Sequence, residues 1–196
     1  MERYGGGQIV IHEYDPAWPS LFEEERARIL DALGPNAISV EHVGSTAVPG
    51  LAAKPIIDLL VGVRSLDDAR GAGVRRMRAL GYTYLPEYEE WLPEELLFRK
   101  GPPGPWTHHA HVMEASNPRR EEYTLVRDYL REHPGVAEEY ANLKKRLAVA
   151  SGDDIAGYRS AKRAFVSSVL ASARGFEPRA VERPPTLRPQ SPRCEG

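Results

Sequence analysis

The chain has 196 residues, 41% of them hydrophobic and 28% charged, with a formal net charge of −2. That length supports one domain with a real core, and a pI near 6.3 excludes a general attraction to nucleic acid or anionic membrane. No run approaches the roughly 20 apolar residues of a membrane span and the N-terminus lacks a signal-peptide core, so a cytoplasmic protein is expected; the lone cysteine, Cys194, excludes an internal disulfide and thiol catalysis.

In chain order, Gly5-Gly6-Gly7 precedes a first expected strand over residues 8–14. Ser20 followed by Glu23 fits a capping box, and Leu21, Phe22, Ile29, Leu30 and Leu33 form an apolar helical stripe that Gly34 ends. Val40 to Val43 is a short β-prone run, broken by Gly44-Ser45-Thr46, and Pro55 opens the apolar run Ile56 to Val61. Ser65 with Asp68 caps a helix reaching Gly81, which Gly71 and Gly73 weaken. Tyr82 to Leu85, Leu96 to Lys100 and Ala110 to Glu114 are expected strands, the first two joined by a loop containing Glu87, Glu89 and Glu90. Helices follow: one after Asn117-Pro118, one over residues 135–150 with Val136, Tyr140, Leu143 and Leu147 inward, and one over residues 153–171. The stretch beyond Gly175 is rich in proline and charge and is expected to be disordered.

One charge interrupts the run Ile56 to Val61, and it needs an explanation. Asp58 shares a strand face with Ile56 and Leu60. An ionised carboxylate buried alone is costly, so Asp58 must meet water, a donor or a metal. Gly44-Ser45-Thr46 reads either as an ordinary turn or as a phosphate cradle built from amide and hydroxyl donors. Lys54 reads as a phosphate partner, an ion-pair partner of Asp58 or a solvated lysine. Glu41 and His42 lie on opposite strand faces, so one of them points toward the space of Asp58; His42 alone reads as a core histidine. His109 and His111, two residues apart on a strand, present two imidazoles to one side, either as metal ligands or as rings bonded to backbone and water. Tyr158 and Lys162 share a helix face, and Lys144, Lys145 and Arg146 read as a solvated basic face.

The stretch EHVGSTAVPGLAAKPIIDLLV, with HAHV, VRDYLREHPGVAEEYANLKKRLA and YRSAKRAFV after it, resembles the GrpB family of bacterial proteins. The resemblance covers roughly Val10 to Leu170 in order. It implies an α+β nucleotidyltransferase-like fold: a mixed sheet flanked by helices, a C-terminal helical portion, a domain over residues 8–173 and a tail over 174–196. It further implies a glycine-serine turn at Gly44 and Ser45, a first strand acid at Asp58, and divalent metal held by carboxylates. The pattern wants a second carboxylate two residues on, where this chain has Leu60.

The expected function is therefore metal-dependent transfer of a nucleotidyl or phosphoryl group from a nucleoside triphosphate to a small-molecule acceptor, without membrane or nucleic acid partners. Asp58 is the expected catalytic acid. Gly44, Ser45, Thr46, Lys54, Arg127, Tyr158 and Lys162 are expected on the nucleotide. Asp58, His111, Glu41 and His109 are expected on magnesium or manganese, or on zinc if the imidazoles dominate. The alternatives are a non-catalytic module binding a nucleotide or phosphometabolite, and a metal-assisted hydrolase on Asp58, His109 and His111.

Overall fold

The computed structural model describes residues 9–102, 106–150 and 155–175; Gly5-Gly6-Gly7, the start of the expected first strand, the cap of the last helix and the expected disordered tail with Cys194 lie outside them. The elements are α1 (Trp18–Leu33), β1 (Ala37–Val43), β2 (Ile57–Val63), α2 (Leu66–Asp68), α3 (Val74–Ala79), β3 (Tyr82–Tyr84), β4 (Leu96–Lys100), β5 (His108–Glu114), α4 (Arg119–Glu132), α5 (Pro134–Ala150) and α6 (Ile155–Ala173). The strands form one five-stranded mixed sheet in the order β1-β2-β5-β4-β3, in which only β2 and β5 run parallel. This is the expected α+β architecture.

Several local expectations change. The expected first strand reduces, over residues 9–14, to a single bridge between His12 and Ala53, because no second register pairs with it. Ser20 is not the cap of α1: the helix begins at Trp18, with Pro19 in its first turn and no side-chain cap. Leu21 is exposed, and the buried stripe is Trp18, Phe22, Glu25, Ile29 and Leu33. Ser65 does cap α2, accepting from the Asp68 amide at 3.2 Å. The weak glycines beyond it appear as a π-helical turn, Ala69–Gly73, between α2 and α3. β5 begins at His108, two residues earlier than expected.

Alternation divides the sheet into two unlike faces. Ile57, Leu59, Val61 and Val63 of β2 join Ala110, Val112, Leu96 and Phe98 in the main core under α1 and α3. Each of the Ile, Leu, Val and Phe side chains contributes about 1.5–3 kcal/mol by leaving water. The opposite face carries Asp58 and Leu60 beside their β5 partners His109 and His111. There the helical portion packs on the segment that follows β1: Val48, Leu51 and Ala52 form a second core with Leu130, Ala137, Tyr140 and Val169. An apolar and a polar face on one sheet leave room for a site between sheet and helices.

Candidate functional site

Gly44 ends β1 with φ of 73°, a left-handed conformation that favours glycine. A Cβ there would collide with Asp58 Oδ2, so the absent side chain is what lets the turn lie against the carboxylate. Ser45–Ala47 then forms a short 3-10 turn. The Thr46 side chain is committed to the fold: it is buried, donates to the Ile56 carbonyl at 3.2 Å and lies 3.0 Å from His42 Nε2.

An open cleft of about 270 Å³ follows, lined by Gly44, Ser45 and Thr46 on one side, Asp58, His109 and His111 on the sheet, and Lys54, Tyr123, Tyr158 and Lys162 around the rest. Asp58 keeps 27% of its side chain exposed. Its Oδ1 lies 3.2 Å from His109 Nδ1. Burial raises the Asp58 pKa, but the hydrogen bond and charge of His109, with the charges of His111 and Lys162, outweigh it and hold the group below the usual carboxylate range. For His109 burial dominates and lowers the pKa. Its Nδ1 faces the Asp58 carboxylate, and its Nε2 is buried without a partner.

The second imidazole is held in the same way. His111 Nδ1 lies 2.6 Å from Glu95 Oε1, and Tyr123 donates to the same carboxylate at 3.3 Å. Burial works against the charge on His111, but Glu95 outweighs it and raises the pKa. Glu95 is itself buried, with Arg119 3.7 Å away. It was not among the sequence-derived candidates. Its signal is alternation: Glu95, Leu97 and Arg99 fall on one face, and Leu97 and Arg99 pair with His111 and His109.

Lys54 and Lys162 both approach the ring of Tyr158, with Nζ atoms 5.9 and 5.6 Å from its centroid. Burial and the neighbouring Lys162 lower the Lys54 pKa to about 8. Two cations facing one space favour an anion there.

Other expected residues fall elsewhere. Glu41 is on the Asp58 side of the sheet but outside the lining of the cleft. It accepts from Arg120 at 3.2 Å and from Arg127 at 3.4 Å. Arg127, also outside the lining, is turned to Asp128, Glu41 and the His42 carbonyl, joining α4 to β1. Leu60 is fully buried with Val43, Met113 and Tyr123. His42 faces the other side, stacked on Phe22 at 4.7 Å. Lys144, expected on a solvated face, is instead buried and donates to Ser45 Oγ at 3.0 Å. Its phase shows this: Ala137, Ala141 and Lys144 recur at helical spacing on the buried side of α5.

Among the described residues, no group of three or more His, Cys, Asp or Glu is arranged to hold a metal ion, and no helix is long and apolar enough to cross a membrane. Among the described residues Asp58 is the only carboxylate lining the cleft, so a two-carboxylate metal clamp does not fit these residues.

A family model described as GrpB protein matches residues 8–172. The UPF0157 protein YqkA of Bacillus subtilis is 40% identical over 174 residues, 89% of this chain and 50% of that protein, so the chain spans half the length of that relative. The crystal structure of conserved protein GrpB from Enterococcus faecalis superposes with a TM-score of 0.77 at 39% identity, covering 84% of this chain and 96% of that one. More distantly, a dephospho-CoA kinase of Mycobacterium leprae is 27% identical over 177 residues, 78% of this chain and 42% of that protein.

Proposed function

This chain belongs to the GrpB family, and on that premise we propose that its cleft binds a phosphorylated ligand of the nucleoside triphosphate class without a two-carboxylate metal clamp. The observation that carries this reading is the pair Lys54 and Lys162 flanking Tyr158, opposite a sheet that contributes one carboxylate and a buried Leu60. The lysines, seated over the buried Tyr158 ring, supply charge for phosphates. Asp58, pinned against Gly44 and His109, orients the ring of His109 toward the ligand's side of the sheet.

The direct test is calorimetric titration of ATP, GTP, CTP and UTP, each with and without magnesium or manganese. At least one nucleotide is expected to bind in the absence of metal. Lys54→Ala and Lys162→Ala are each expected to weaken it about tenfold, the equivalent of about 1.4 kcal/mol. Binding by none of the four, or binding indifferent to both substitutions, counts against the reading.

A second reading, metal-dependent transfer of a nucleotidyl or phosphoryl group to a small-molecule acceptor, is favoured by one atom: the buried, unpartnered Nε2 of His109. A carboxylate on Nδ1 with a free Nε2 is how many metal-binding histidines are held. Pyrophosphate release that requires manganese or magnesium would favour this reading over metal-free binding.

A further inference from the structure

Lys144 is a buried cation whose partners are all neutral. The residue is 2% exposed, and its Nζ donates to Ser45 Oγ at 3.0 Å and to the Ala52 carbonyl, with the Tyr140 ring 4.4 Å away. Among the described residues no carboxylate lies within ion-pair distance of it. Its neighbour on α5, Lys145, takes the outward path to Glu13. Keeping a charge in such a place without an opposite charge is expensive, and a lysine that serves only to hold α5 against the turn would not need a titratable amine.

Ser45 completes the geometry. It is partly exposed and lines the cleft, and its hydroxyl meets both Lys144 Nζ and the Tyr140 hydroxyl. Burial, then Lys162 and Lys145, lower the Lys144 pKa to about 7 against the opposing pull of Asp58. The amine therefore exchanges near neutrality between a donor and a base with a lone pair. A serine hydroxyl within hydrogen-bond reach of such a base is an activated nucleophile.

We propose that Ser45 and Lys144 form a nucleophile and base pair, in which Ser45 Oγ accepts a phosphoryl group from a phosphorylated ligand in the cleft. Ser45 Oγ attacks phosphorus while its proton passes to Lys144 Nζ. The bond from phosphorus to the leaving oxygen breaks, and its electron pair departs with that oxygen. A nucleoside diphosphate leaves without needing a proton, and Lys144 returns its own to solvent. Lys54 and Lys162 offset the charge that develops on the phosphoryl oxygens. The substrate class rests on the phosphorylated-ligand reading above; the nucleophile does not.

The test uses the full chain and a small fluorophosphonate, which reports serine nucleophilicity independently of nucleotide recognition, followed by peptide mass spectrometry. One adduct at Ser45 is expected, absent in Ser45→Ala, with a rate that rises as pH passes from 6 to 8. Lys144→Arg keeps the charge and donors but cannot act as a base; it is expected to slow labelling about 100-fold or more while the melting temperature holds. No adduct at Ser45, or equal rates in Lys144→Arg, overturns the proposal. If that variant fails to fold, a flat pH profile of the unaltered chain does so instead. In parallel, incubation with the four nucleoside triphosphates is expected to give phosphoserine at residue 45. Nucleotide binding with an unreactive serine retains the cleft reading and overturns the nucleophile. A reactive serine with no nucleotide binding retains the nucleophile and overturns the substrate class.

Discussion

His42 shows how one side chain turns burial into pH dependence. It is 8% exposed, stacked on Phe22 and bonded to Thr46, and burial lowers its pKa from an ordinary 6.5 to about 4. The unfolded chain therefore takes up the proton first. Stability from this residue is fully present above pH 6.5 and is lost as pH falls toward 4, by about 3 kcal/mol at 1.36 kcal/mol per unit. Asp58 and Glu95, whose carboxyls are held low, lose stability in the same direction at still lower pH. The contribution of His42 is isolated with His42→Gln: the drop in unfolding free energy between pH 7 and pH 4.5, measured by urea titration, is expected to shrink by most of that amount. An unchanged drop would place the titration elsewhere. That His42 belongs to the core could be read from its place in a short β-prone run. That Thr46 is its partner could not, because the bond depends on the turn at Gly44.

At the scale of the strand, β2 carries both the site and the reason its metal clamp is incomplete. Asp58 and Leu60 share a face, but their surroundings differ: Asp58 meets the Gly44 turn and His109, whereas Leu60 meets Val43, Met113 and Tyr123. Leu60→Asp, which would write the second carboxylate into the sequence, is expected to destabilise the protein by about 4 kcal/mol or more, since it removes a buried leucine and places a carboxylate among apolar groups. Denaturant unfolding measures this, and a loss under about 1 kcal/mol would mean that the position opens to water. Period-two alternation made the shared face legible in advance. It did not reveal that Glu41, the nearest acid on β1, is engaged by Arg120 and Arg127 of α4, because those arginines arrive from about eighty residues away.

At the scale of the molecule, the cleft exists only where separate parts meet: the turn after β1, strands β2 and β5, and helices α4 and α6. A ligand seated there ties these parts together, so it stabilises the fold by mass action. At about 100 times its dissociation constant the gain is about 2.7 kcal/mol, a rise in melting temperature of about 5–10 °C. Because lysines supply the attraction, raising salt from about 0.05 to 0.5 M is expected to reduce the shift. A shift insensitive to both salt and Lys162→Ala would argue for an apolar ligand mode.

The sequence by itself determined the local parts of this protein. Alternation made the two faces of β2 and β5 readable, the ordered motifs from Val10 to Leu170 carried the family, and the lone acid in an apolar run singled out Asp58. These are properties of neighbours along the chain, where strand and helix periods dictate which residues share a side. Only the tertiary structure decided which groups meet. It gave Lys144 its partner Ser45, brought Glu95 to His111, and drew Glu41 and Arg127 away from the cleft. Such pairings depend on how α4, α5 and α6 close over the sheet, and no local period encodes a contact between residues dozens of positions apart.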